Sequence, residues 1–259
     1  MGGKSHNIDI ISSMNYWRYW LKLGYLDIKN KYRRTFFGPL WVTGTVAIII
    51  FAVGPLYGTI FNRPMDTYLL HLATGMTFWF FLSSTISETT TAFIDNGSII
   101  KNTNKPINIH LLRIISRNTI ILMHNLIIPI LIAIYYDFFS INILYLIPVI
   151  ILLVFFLFLV SFPIAILSTR FRDLIPLIQN ILQLFFFLTP IFWVSGTEMQ
   201  RFSFLYLNPF DYFISLARMP FYSTMNSLTI YIILLFMFIF YFISIYLFKK
   251  YANRISYWL

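Results

Sequence analysis

Two groups of side chains in this 259-residue sequence could do chemistry, and both adjoin long apolar runs. The first is Ser84, Glu88 and Thr91, spaced i, i+4 and i+7 on one helical face, with Ser83, Thr85, Ser87, Thr89 and Thr90 beside them. An acid inside a bilayer costs about 2–3 kcal/mol on insertion scales, so Glu88 needs a partner or a wet cavity. Two readings stay open: a face that lines a pore or an interface, or a helix end whose acid snorkels to water. The second group lies in the N-terminal region. Asn15, Arg18, Lys22, Lys29 and Arg33 form a basic stripe beside the apolar Met14, Trp17, Leu21, Tyr25 and Ile28, an arrangement suited to anionic headgroups. Other chemistries find little support. There is no cysteine; His6, His71, His110 and His124 are scattered without zinc-ligand spacing; and no Ser-His-Asp order or carboxylate pair stands out among the nine acids. We therefore assign no catalytic and no metal-ligating residue.

Six apolar stretches must position these groups: Phe37 to Ile60, Tyr68 to Thr91, Leu111 to Tyr136, Ile141 to Leu167, Leu174 to Trp193 and Leu228 to Phe248. Each has about the 20 residues an α-helix needs to cross a hydrocarbon core roughly 30 Å thick. None shows the alternation of a barrel strand. The expected fold is an all-α polytopic membrane protein with six transmembrane helices. When they are threaded through a bilayer, 16 of the 19 Lys/Arg fall on one side and only Arg63, Arg201 and Arg218 on the other, which places both termini in the cytoplasm. The net charge of +10 is thus a topology signal, and no nucleic-acid partner is expected. Residues 1–36 lack the uninterrupted apolar core of a signal peptide and predict an amphipathic interfacial helix, with Tyr16, Trp17, Tyr19 and Trp20 at the headgroup boundary. Residues 37–259 form the transmembrane domain.

The connections are distinctive. Residues 95–105 have the length of a short cytoplasmic helix that could lie across a partner's surface. The connection Val194 to Ser227 is long yet rich in Phe, Tyr, Leu and Met, with turn signals at Ser195-Gly196, Asn208-Pro209 and Met219-Pro220. It reads as a re-entrant helix pair between the fifth and sixth spans or, alternatively, as two surface helices capping the bundle.

The order of these features resembles the membrane subunit of type 2 ABC exporters, in particular the polysaccharide and O-antigen export permeases. The likeness covers nearly the whole chain. It is carried by Tyr32-Arg33-Arg34-Thr35-Phe36-Phe37-Gly38-Pro39-Leu40-Trp41, by Gly75 with Trp79, and by Asn96-Gly97-Ser98-Ile99-Ile100-Lys101 followed by Pro106. Arg170-Phe171-Arg172-Asp173-Leu174, Thr189-Pro190-Ile191-Phe192-Trp193 and Leu207-Asn208-Pro209-Phe210 with Arg218 complete it. The resemblance implies half of a homodimeric channel in the bacterial inner membrane, driven by two copies of a separate ATPase subunit that binds ATP and Mg. The coupling segment would be 95–105, with Asp95, Asn96, Gly97, Ile99 and Lys101 docking on the ATPase. The outer gate would be 194–227, with Asn208, Pro209 and Arg218.

The sequence is consistent with a separate engine, because no complete G-x-x-x-x-G-K-[ST] motif occurs; Gly3-Lys4-Ser5 has only its tail. Given an undecaprenyl-diphosphate-linked glycan as cargo, Lys31, Arg33 and Arg34 are candidates for the diphosphate, with simple positive-inside anchoring as the alternative. Aromatic residues make up 20% of the chain; in ordinary bundles they face lipid or anchor the interface, and the alternative is a path along which sugar C–H faces slide. Trp41, Phe51, Tyr68, Phe78, Trp79 and Phe81, with Glu88, are the lining candidates. Rival readings are a type 2 exporter of teichoic acid, lipid or drug, and a membrane-embedded glycosyltransferase or acyltransferase. The last would call for a carboxylate or His cluster at a membrane face.

Overall fold

The computed structural model describes residues 10–33, 35, 40–103, 105–194, 208–222, 226–251 and 254–259. These residues form helices and turns, with no strand among them. In chain order the helices are α1 (Ile10–Asn15), α2 (Trp17–Lys31), α3 (Leu40–Ile60), α4 (Met65–Thr89), α5 (Gly97–Asn102) and α6 (Asn108–Asn125). They continue with α7 (Ile127–Tyr135), α8 (Leu146–Arg170), α9 (Leu174–Leu188), α10 (Pro209–Tyr222), α11 (Ser227–Tyr251) and α12 (Ile255–Trp258).

Among the described residues five segments are long and apolar enough to cross a membrane: α3, α4, the stacked pair α6 and α7, α8 with the 3₁₀ turn that precedes it, and α11. Here the structure departs from the six transmembrane helices expected. The stretch from Leu174 is helical only to Leu188, and 15 residues at about 1.5 Å each fall short of a core roughly 30 Å thick. Pro190 is the cause. A residue before proline is driven from the helical region, and Thr189 duly adopts extended backbone at ψ 137°. Proline also explains the seam between α6 and α7, since Pro129 has no N–H to give the Asn125 carbonyl four residues back.

Two helix ends are closed by a residue in the left-handed region. Asn62 (φ 49°) ends α3, with the Arg63 N–H returning to the Gly58 carbonyl at 3.0 Å. Asp137 (φ 59°) ends α7 in the same way, with Phe138 donating to Ala133 at 2.8 Å.

Helix α4 is the axis of the bundle. It packs against α3, α6, α7, α8, α9 and α10. Of its apolar stretch 78% is buried, against 17% for both α3 and α11, so those two are peripheral staves. The main core gathers Leu70, Leu72, Phe78 and Leu82 of α4 with Leu153 and Leu157 of α8 and Phe213 and Ile214 of α10. A separate small core joins Phe93, Ile100, Leu111, Phe162, Ile166 and Ile255 at the end of the bundle that carries α2, α5 and α12, here termed the basic end.

Candidate functional site

At the basic end, four elements converge on an ion-paired network. Glu88, near the end of α4, accepts hydrogen bonds from the Arg117 guanidinium and, at 2.6 Å, from Asn118 Nδ2, both on α6. Arg113, one turn before Arg117, grips Asp27 of α2 with two parallel hydrogen bonds, from Nε at 2.7 Å and from Nη2 at 2.5 Å. Arg117 Nη1 also lies 3.6 Å from Asp27 Oδ2, so one carboxylate bridges both arginines. The remaining arm of Arg113 donates to Asn96 Oδ1 at 3.4 Å, and Asn96 Nδ2 binds the Ala92 carbonyl at 2.8 Å. Asn96 immediately precedes α5, so the network ties α2, α4 and α6 to the start of that short helix.

Gly24 sets how closely α2 approaches. A Cβ there would stand 2.3 Å from Ser116 Oγ and 3.0 Å from the Arg113 carbonyl, so only glycine lets α2 lie this near α6. The side of α2 turned to protein is therefore Gly24 with the buried Ile28. Met14, Trp17, Leu21 and Tyr25 remain outward, between 37% and 58% exposed. Lys105, beyond α5, places its ammonium 3.5 Å from the centre of the Tyr19 ring and adds a cation–π contact to α2.

Beside this network lies a cavity of about 470 Å³ between α3, α4 and α6, with the end of α2 at its rim. Lys31 and Tyr32 stand at that rim. Trp41, Val42, Thr45 and Val46 supply one wall, Phe80, Phe81, Ser84 and Glu88 another, and Asn118, Ile121, Leu122 and Asn125 the third. The Asn125 Oδ1 is buried without a partner. The chamber thus joins a cationic mouth, a polar patch and an apolar aromatic wall. Burial raises the Tyr32 hydroxyl above its ordinary pKa, so it stays protonated at neutral pH.

The opposite end is held by different means. The Arg218 side chain from α10 is enclosed and donates from Nη2 to the carbonyls of His71 (3.1 Å) and Pro190 (2.9 Å). Burial lowers its pKa to about 10, with Tyr222 and Asp211 acting in the other direction, and it remains a cation at neutral pH. Gly75 makes room for it: a Cβ there would lie 2.5 Å from Arg218 Nη2. The turn after α9 takes two further contacts from α4, Tyr68 Oη to the Phe192 carbonyl at 2.5 Å and His71 Nε2 with the Trp193 carbonyl at 3.2 Å. Asn208 precedes α10 as its N-cap, accepting from the Phe210 N–H at 3.0 Å and donating to Thr189 Oγ1 at 2.9 Å, with Pro209 as the first helical residue.

Residues 20–222 match the family described as ABC-2 type transporter. The chain belongs to that family. It is similar to the O-antigen export system permease protein RfbA of Klebsiella pneumoniae, with 27% identity over 183 residues, 69% of this chain and 70% of the relative. A protein of the same name from Myxococcus xanthus is 22% identical over 189 residues, covering 71% and 72%. The chain is thus an ABC-2 transporter membrane subunit with O-antigen export permeases among its relatives.

In this ABC-2 transporter the residues expected to matter are distributed unevenly. Lys31, Trp41, Phe81 and Glu88 come together in the cavity. Arg33 lies in the turn after α2, and Arg34 falls outside the described residues. Phe51 is 55% exposed on the outer face of α3, while Tyr68 and Phe78 are packed in the core. Trp79 lines a second cavity of about 350 Å³ between α4 and α9, shared with Ser83, Ser87, Gln179, Gln183 and Phe186. Asp95 accepts from Thr91 Oγ1 at 2.6 Å, Ile99 is exposed, and Lys101 is exposed in the last turn of α5. Asn208, Pro209 and Arg218 lie at the opposite end, whereas residues 195–207 and 223–225 of the expected gate lie outside the described residues.

Sequence reasoning missed Asp27, Asn118 and Gly24, and treated Arg113 and Arg117 as topology charges only. A signal was present. Arg113 and Arg117 stand at i and i+4, and Asp27 is the sole acid on a basic helix, which marks them as possible partners.

Proposed function

We propose that this chain is the membrane permease of an exporter that moves an undecaprenyl-diphosphate-linked polysaccharide across the bacterial inner membrane. It works as a homodimer with two copies of a separate ATPase subunit, which bind ATP and Mg. The observation that carries this reading is the cavity at the basic end, where a cationic rim at Lys31 meets an aromatic wall at Trp41 and Phe81. A diphosphate takes charge-assisted hydrogen bonds from Lys31 and Arg33, and an isoprenoid chain takes the apolar wall. The names of the two relatives point the same way.

In this reading the basic end and both termini are cytoplasmic, by the charge bias of the sequence. The exposed apolar face of α2 lies in the membrane interface. Helix α9 and the turn after it serve as a shortened fifth crossing, and α10 is the described part of a re-entrant outer gate. Helix α5 docks on the ATPase, with Ile99 offered outward while Ile100 anchors it in the small core. Closure of the ATPase on ATP displaces α5, and α3 and α9 part to open a path for the glycan. The aromatic and hydroxyl face at Trp79, Ser83 and Ser87 continues that path.

The test is to remove the chain from cells and restore it on a plasmid beside its ATPase. Lipid-linked glycan should build up inside the deleted strain and clear on restoration, and the two subunits should copurify. A deleted strain with normal glycan export, or a chain that copurifies with no ATPase, rejects the proposal.

A further inference from the structure

Helix α12 is the least expected element of the basic end, because four residues cannot hold a helix on their own. What holds it is burial. Ile255 is 1% exposed inside the small core, which it shares with Ile100 of α5 and Phe162 and Ile166 of α8. Trp258 and Leu259 pack on the same core. Leu259 also closes over α5, since a Cβ built at Gly97 would lie 3.6 Å from Leu259 Cβ.

On its other side the segment reaches the elbow between α8 and α9. The Arg170 guanidinium sits 5.4 Å from the centre of the Trp258 ring, 5.7 Å from Tyr251 and 5.0 Å from Phe171. Tyr251 and Trp258 are themselves in contact, with centroids 5.5 Å apart. One short segment therefore touches both the helix assigned to ATPase docking and Arg170, the cation that ends α8.

We propose that α12 and Leu259 form a positioning link that makes α5 and the α8–α9 elbow move as one body. Displacement of α5 is passed through Ile255 and Trp258 to Arg170, and from there to α9. The inference rests on the assignment of α5 as the ATPase-docking helix. Trp258 and Arg170 are positioning residues, absent from the lining of the cavity.

Two measurements test it. The chain has no cysteine, so Gly97→Cys with Leu259→Cys gives a single possible disulfide within one chain, at a Cβ separation that suits one. In membranes a mild oxidant should cross-link the pair, with and without the ATPase and nucleotide; loss of the cross-link once the ATPase and ATP are present overturns the shared motion, and its absence throughout overturns the contact.

The second measurement is glycan exported per ATP hydrolysed. Trp258→Ala should lower that ratio by about fivefold, the equivalent of one cation–π contact at an exposed arginine, while ATP hydrolysis and copurification stay at the original level. Trp258→Phe should restore most of it, and Tyr257→Ala, at an 80% exposed neighbour, should leave it unchanged. An unaltered ratio in Trp258→Ala overturns the link. If that variant accumulates poorly, Arg170→Gln takes its place, with the same drop expected and the same unchanged ratio counting against the link. Should the unmodified chain fail to copurify with an ATPase, the exporter reading itself falls, an outcome distinct from every variant result.

Discussion

The two ends of the bundle are both held to α4 by arginine, yet the groups that receive the arginines differ. At the basic end Arg113 and Arg117 meet the carboxylates of Asp27 and Glu88, and the four side chains keep 15–35% of their surface exposed. At the opposite end Arg218 is enclosed and meets carbonyls of the backbone. The contrast follows from what each end must satisfy. The basic end has charges near water to neutralise. At the other end Pro190 breaks α9 and strands carbonyls in an apolar setting, where each unpaired group costs about 1–3 kcal/mol. A long buried donor is the remedy there, and a carboxylate would add nothing.

Arg218→Ala should break the contrast most severely. The Pro190 carbonyl loses its donor, while that of His71 keeps the Thr74 hydroxyl, and a void opens beside Gly75, so the loss should be about 2–5 kcal/mol, seen as a lower melting midpoint in detergent. Adding salt should not alter this loss, because the site is enclosed. A midpoint within experimental error of the original would show that the turn after α9 is held by something else. Gly24→Ala comes next, at about 1–3 kcal/mol, because the new methyl group meets Ser116 and backbone of α6. Its effect should fall on α2 alone, read as faster proteolysis of the N-terminal segment while the rest of the bundle stays resistant.

Glu88→Gln tests the wet end directly. The pair it breaks is partly exposed, so after allowance for screening the cost should be near 1 kcal/mol and should shrink as salt rises. A salt-independent loss would mean that the basic end behaves like the enclosed one. Lys31→Ala should have the smallest effect on stability, about 0–0.5 kcal/mol, since its side chain is exposed. Export of lipid-linked glycan should nonetheless fall several-fold if the rim receives the diphosphate; full export would remove Lys31 from the substrate path.

Much of the fold was legible because helical periodicity and apolar length are local properties. The stretches that became α3, α4, α8 and α11 could be read directly, as could a short helix near Gly97. Of the candidate site, Lys31, Trp41, Phe81 and Glu88 were named from residue type and place, and they do share one cavity. The aromatic list was less discriminating. Composition treats Phe51, Phe78 and Phe81 alike, whereas packing puts the first outside, the second in the core and the third at the cavity. Helix α9 was overestimated because its apolar run continues through Pro190, and hydropathy does not register a missing N–H.

By itself, then, the sequence determined that this is a helical membrane chain with a strong charge bias, a basic amphipathic start and a polar face around Glu88. Those properties reside in residues three or four apart. Tertiary structure alone decided that α4 is the axis, that Asp27 answers Arg113 across 86 positions, and that Arg218 serves a carbonyl 147 positions away. It also decided that α12 rests against α5. The physical reason is that a buried donor or charge takes whatever acceptor packing brings within reach, and distance along the chain carries no record of that.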